Sequence, residues 1–251
     1  MTEPRIHPGL SEGRLVGRRD WAPGLATFTI QAEVEPFAPG QFVNLALERD
    51  GQLERRSYSI ASPPGAPLAF LVAEVPEGRL TPHLMRLTPG DRVWVEPKPQ
   101  GFFTLRWVPD APELWLVATG TGLGPFLSIL GSDELWQRFP RVVVVHGVRG
   151  VDQLAHREEL NALSAARPGL RVVPVLSREV ASGCVSGRVT TALADGTLER
   201  AAGVTLAPER SHVMLCGNPA MIDEMNLLLG ARGLKKHRVR VPGHITVEKY
   251  W

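Results

Sequence analysis

Arg55-Arg56-Ser57-Tyr58-Ser59-Ile60-Ala61-Ser62, followed by Pro63-Pro64, is the stretch on which the reading of this chain turns. It reads as a short strand stopped by a proline turn. Side chains alternate along a strand, so Arg56 and Tyr58 share one face. That sets a cation beside an aromatic plane, with hydroxyls next to both. A guanidinium fork suits a phosphate and a tyrosine plane suits a flat ring; a flavin nucleotide offers both along one molecule. The same residues also fit an ordinary barrel strand with an exposed Arg and a half-buried Tyr, and by themselves they leave both readings open.

Outward from this strand, the chain to about Arg106 reads as β structure. Residues 25–32 are close to period two, and residues 41–47 follow a Pro39-Gly40 turn. The strand at Arg55, residues 68–75 and residues 92–96 complete the set. Short strands at turn-marked spacing predict a closed antiparallel barrel. One helix interrupts them, with Thr81 expected as N-cap, Pro82 at the first helical position, and Leu84, Met85 and Leu87 on an apolar side. A helix start offers free N–H groups and partial positive charge, so Gly78-Arg79-Leu80-Thr81 can hold a phosphate. A plain surface cap accounts for the same residues.

Residues 107–112 read as a linker. The expected division is 1–106 and 107–251. Beyond the linker, strands at 114–118, 142–145, 171–176, 212–215 and 244–247 alternate with helices expected at 125–136 and 153–166. That alternation predicts a parallel sheet with helices on both faces. The fold class is therefore β followed by α/β, in two domains.

Ligands of such sheets bind at the carboxyl ends of the strands. The first such end is Thr119-Gly120-Thr121-Gly122-Leu123-Gly124-Pro125. Its glycines let backbone approach a ligand, and a pyrophosphate at the helix start is the natural reading. The spacing G-x-G-x-G-P is not the G-x-G-x-x-G dinucleotide fingerprint. A structural glycine turn is the alternative. At the second and third strand ends stand Arg149 and Arg178, and Arg188 follows in Ser186-Gly187-Arg188. Arginines there favour a 2′-phosphate over bare ribose hydroxyls; solvent or surface ion pairs are the alternative, and Glu179 beside Arg178 keeps it open. Cys216, in Cys216-Gly217-Asn218-Pro219, ends another strand. It is either a thiol at a helix start or a small apolar residue. No His is placed by sequence to activate it.

The chain has 251 residues, 43% hydrophobic and 22% charged, with a net charge of +2. This is the composition of a folded protein of two modest domains, too weakly charged to argue for nucleic acid. No apolar run approaches a membrane span of about 20 residues, and the first ten residues have no apolar signal core. No membrane partner is expected. Two Cys cannot build a disulfide framework, a four-thiolate zinc site or an iron–sulfur cluster. No metal site is expected, and a reducing cytoplasm is the default. Basic clusters at Arg14, Arg18, Arg19 and at Lys235, Lys236, His237, Arg238, Arg240 fit either a solvated face or a docking patch for an acidic carrier.

R-x-Y-S, then Gly-Arg-Leu-Thr, then the Gly-rich loop, then Cys-Gly-Asn-Pro, then Val-Glu-Lys-Tyr-Trp stand in one order. In that order the chain resembles the bacterial branch of the FAD-dependent ferredoxin–NADP⁺ reductases, over nearly its whole length. The resemblance implies hydride transfer from NADPH to FAD and single-electron exchange with ferredoxin or flavodoxin, by a monomer. A flavin or quinone reductase, or an electron-transfer subunit of a larger complex, is the alternative. It implies that Arg56, Ser57 and the turn Gly78, Arg79, Leu80, Thr81 grip the flavin pyrophosphate. Val72, Ala73 and Glu74 would line the flavin's polar edge, Tyr58 would stack on its ring, and Ser59 would bond near N5. Strict alternation puts Ser59 on the face opposite Tyr58, so the strand must end there. Thr121 and Gly122 would receive the NADP⁺ pyrophosphate, and Arg149, Arg178 and Arg188 the 2′-phosphate end. Cys216 would lie against the nicotinamide with Glu248 and Ser59, positioning the ring and forming no covalent bond. Tyr250 would cover the flavin ring and Trp251 the adenine.

Overall fold

The computed structural model of the chain describes residues 7–49 and 51–249. Its first half is an antiparallel sheet of β1 (Ser11–Ala22), β2 (Leu25–Gln31), β3 (Phe42–Arg49), β4 (Gln52–Ser59), β5 (Leu68–Ala73) and β6 (Arg92–Val95). The order β4-β3-β6-β1-β2-β5 leaves β4 and β5 at the edges. Just past β4, Ala61 N–H donates to Ala69 O at 2.7 Å and draws those edges together. Leu15, Phe28, Ile30, Val43, Leu45, Phe70 and Val93 fill the interior at 1% exposure or less, as inward alternation requires.

The first strand, β1, is not visible in the period-two pattern of the sequence. Gly13 and Leu15 point inward, but register shifts between Leu15 and Gly17 and between Asp20 and Ala22 break the alternation. A bulge of this kind hides period two. Its arginines are tied internally. Arg18 binds Asp20 at 2.6 Å and the carbonyl of Met85 at 2.6 Å. Arg19 pairs with Glu159 and lies 3.9 Å over the Trp21 ring. Both arginines therefore have partners within the chain.

The second sheet is parallel, in the order β10-β9-β8-β7-β11-β12. Its strands are β7 (Glu113–Thr119), β8 (Arg141–Val148), β9 (Leu170–Leu176), β10 (Val185–Ser186), β11 (Ser211–Gly217) and β12 (Ile245–Lys249). The helices of the chain are α1 (Thr81–Leu84), α2 (Gly124–Leu130), α3 (Asp133–Arg138), α4 (Arg157–Ala166), α5 (Val189–Ala194), α6 (Thr197–Ala202) and α7 (Pro219–Ala231).

Two helices expected as continuous are broken. The helix expected at 125–136 stops at Gly131, where a side chain would stand 2.9 Å from Pro63 of the barrel, and resumes as α3. The helix expected at 153–166 begins only at Arg157. His156 before it has φ 58°, a left-handed conformation that costs a non-glycine residue energy and ends the preceding turn.

The halves share a core. Leu71 of β5, with Trp21 and Leu25, packs among Leu116, Phe126 and Cys216 of the parallel-sheet half. Ser128 of α2 donates to Ser62 O at 2.7 Å in buried surroundings. Trp21 Nε1 donates to Thr27 Oγ1 at 2.9 Å, and that hydroxyl meets His156 Nε2 at 2.9 Å.

Candidate functional site

β4 ends at Ser59, and there the alternation stops. Tyr58 is half-buried against the barrel core. Burial pushes its phenol up to about 12, against a small opposing pull from Arg56, so it stays neutral. Its ring is a fixed apolar plane at a strand end. Arg56 is exposed, and its guanidinium lies 3.9 Å from the Glu54 carboxylate. Arg79, from the turn before α1, lies 3.4 Å from the same carboxylate. Two cations distant in sequence thus converge on one carboxylate. Ser57 donates to Asn44 Oδ1 at 2.8 Å, which faces its hydroxyl toward β3.

The turn differs from expectation in one respect. Thr81 is the first residue of α1, and no side chain caps that helix. Its hydroxyl instead accepts from Val75 N–H at 2.8 Å and donates to Val75 O at 3.2 Å, closing the turn that carries Gly78 and Arg79. Leu80 and Val72 bury their side chains in the barrel at 2% and 1% exposure, which leaves only backbone for a ligand. Ala73 and Glu74 are exposed beyond the free edge of β5, and Glu74 N–H donates to Gly24 O at 2.7 Å.

The parallel sheet meets this edge. Cys216 of β11 is flanked by Ala118 of β7 and Glu248 of β12 in register. Ser59 Oγ donates to Glu248 Oε1 at 3.2 Å, across the two halves of the chain. Ser59, Cys216 and Glu248 are brought together from three strands. Burial raises the Glu248 carboxyl to about 7, and the Ser59 hydrogen bond only partly opposes it. Cys216 is fully buried.

The Gly-rich loop forms a 3₁₀ turn, Gly120–Leu123, before α2. A side chain at Gly122 would stand 2.4 Å from Cys216 O, so only glycine lets this loop lie on β11. Thr121 is half-buried in the same turn. Three further residues hold the loops, and only their helix-start context was readable in sequence. Thr119 Oγ1 accepts from Asn218 N–H at 2.9 Å. Asn218 caps α7 by accepting from Ala220 N–H at 2.8 Å. His146, on β8, contacts Gly120 O at 3.0 Å.

Arg149 and Arg178 stand at adjacent strand ends, joined by Arg178 N–H to Arg149 O at 3.0 Å. Arg188 immediately precedes α5, beyond β10. All three are exposed. Glu179 does not pair with Arg178: its carboxylate accepts from Val151 N–H at 2.8 Å. Among the described residues, Lys235, Lys236, Arg238 and Arg240 are exposed at the amino end of β12, away from these strand ends. Tyr250 and Trp251 lie outside the described residues.

Residues 24–104 match the family described as oxidoreductase FAD-binding domain. Residues 116–226 match the oxidoreductase NAD-binding domain. A flavodoxin/ferredoxin–NADP reductase of Shigella flexneri is 43% identical over 95% of this chain and 98% of its own. A ferredoxin–NADP reductase of Azotobacter vinelandii is 34% identical over 96% and 97%. A crystal structure of a ferredoxin NADP⁺ reductase from Neisseria gonorrhoeae, with bound FAD and NADP, superposes with a TM-score of 0.93. It is 31% identical and covers 98% of this chain and all of its own.

Proposed function

The chain belongs to the flavodoxin/ferredoxin–NADP reductase family, and on that footing we propose that it moves electrons between NADPH and ferredoxin or flavodoxin through a bound FAD. When bound, the flavin supplies the two-electron to one-electron conversion; the protein binds, orients and shields it. The observation that carries the reading is the Ser59–Glu248 hydrogen bond at 3.2 Å, which closes the barrel's strand end onto the strand ends of the parallel sheet.

Arg56 and the turn Gly78, Arg79, Leu80, Thr81 hold the flavin diphosphate, with Val72, Ala73 and Glu74 along the flavin's polar edge. Tyr58 offers one ring face, and the Ser59 hydroxyl the polar end of the ring. Thr121 and Gly122 take the NADP⁺ diphosphate, and Arg149, Arg178 and Arg188 its 2′-phosphate. Cys216 is a small apolar floor under the nicotinamide, and Glu248 holds Ser59 in place. Both act by positioning. Tyr250 and Trp251 are assigned to the flavin and adenine faces on family grounds alone.

The barrel spans 1–106 and the nucleotide domain 107–251, a division supported by the turn at 105–107 and by the two domain matches on either side. Among the described residues no helix is long and apolar enough to cross a membrane; a cytoplasmic monomer docking acidic carriers is the proposed setting. The test is optical. The purified protein should be yellow, release FAD on denaturation, lose its visible band with NADPH, and regain it faster with ferredoxin or flavodoxin than with free flavin or quinone. Colourless protein that takes up no FAD would overturn the reading.

A further inference from the structure

His146 is fully enclosed at the carboxyl end of β8, 2% exposed. Its Nε2 lies 3.0 Å from Gly120 O, the first carbonyl of the Gly-rich turn. A carbonyl can only accept, so the imidazole carries its proton on Nε2 and donates. Gly120 has φ 54°, the left-handed region. No atom stands within 4 Å of where its side chain would project, so contacts on that side do not hold it there. The backbone of the 3₁₀ turn and the His146 hydrogen bond hold it, and the latter keeps the negative end of the Gly120 carbonyl dipole on the inward side. Next in sequence, a side chain at Gly147 would meet Val189 Cγ2 at 2.5 Å, so the strand end beneath the loop is itself close-packed against α5.

We propose that His146 is a positioning residue for the nicotinamide-nucleotide diphosphate: it turns the Gly120 carbonyl away from the phosphates and fixes the turn that receives them. This rests on the reading of the Gly-rich loop as a diphosphate cradle. Without that donor the carbonyl loses its inward partner, and any rotation that brings its negative end toward the phosphates would repel them and oppose their binding. Because NADPH and NADH share the diphosphate, the effect of His146 is common to both.

The holoenzyme tests this with His146→Phe, which keeps an aromatic ring and removes the donor, and His146→Gln, which keeps a donor. His146→Phe should raise KM for NADPH and for NADH by the same factor, about 10-fold, with FAD content and kcat near wild type. His146→Gln should recover most of that loss. Should the Phe variant fail to fold, ¹⁵N NMR of the wild type still decides. A proton on His146 Nε2 should be visible at pH 7, and its signal should shift on adding NADP⁺. A proton on Nδ1, a signal indifferent to NADP⁺, an unchanged KM in a folded Phe variant, or an effect on NADPH alone would each overturn the inference. Wild-type enzyme that NADPH cannot reduce would instead remove the function proposed above, while the tautomer at His146 would stand as measured.

Discussion

NADPH and NADH differ only by the 2′-phosphate, so residues that read it separate the two cofactors. Arg178 is exposed just past the end of β9 and Arg188 just before α5, and Glu179 is engaged with Val151. Arg178→Ala and Arg188→Ala should each raise KM for NADPH about 10- to 100-fold, the loss of one charged hydrogen bond. KM for NADH should barely move. Steady-state kinetics with both cofactors checks it, and equal shifts would exclude the assignment. Glu248 gives a pH signature. Its folded value near 7 lies above the unfolded 4.5, so the folded chain holds the proton longer. The stability this contributes is fully present below 4.5 and is lost as pH rises through 7. Glu248→Gln, fixed in the neutral state, should gain on the wild type between pH 5 and pH 8, by on the order of 2 kcal/mol after screening. Urea midpoints at the two pH values measure that gain.

Elements were legible where burial and period agreed. β7, β8 and β11 are near-continuous apolar runs, which sequence patterning reads directly. The break between α2 and α3 falls at Gly131-Ser132, the C-cap of one helix and the N-cap position of the next, while the Pro63 contact that requires the glycine comes from the distant β4–β5 loop and is not legible in sequence. The Cys216 end and the Gly-rich loop were each readable, but their contact at Gly122 was not: spacing along the chain does not report which backbone lies on which. That contact predicts a contrast within one loop. Gly122→Ala would drive a methyl to 2.4 Å from Cys216 O, against β11 backbone that has no flexible side chain to move aside. It should destabilise by about 1–3 kcal/mol and weaken NADPH binding. Gly120→Ala meets open space and pays only for its left-handed backbone, about 1 kcal/mol. Thermal midpoints of the pair would show whether close approach or conformation governs the loop.

At the scale of the molecule, two buried imidazoles set an acid limit. His146 is pushed down to about 4 and His212 to about 3, chiefly by burial. Both folded values lie below the unfolded 6.5, so the unfolded chain takes up protons first. The stability they contribute is fully present above 6.5 and is lost as pH falls through 4. For His146 alone the loss is on the order of 3 kcal/mol. Urea midpoints should therefore fall between pH 7 and pH 4.5, and fall less in His146→Gln; a parallel fall in both proteins would count against it. The shared core has a different consequence. Leu71, Trp21 and Leu25 of the barrel count among the packed residues of the nucleotide half, and Trp21–Thr27–His156 links the two by hydrogen bonds. A chimera that grafts this barrel onto another reductase's nucleotide half must therefore carry those seam residues with it. Inheritance and engineering alike act here on the pair of halves, with the seam as the part that decides which exchanges survive.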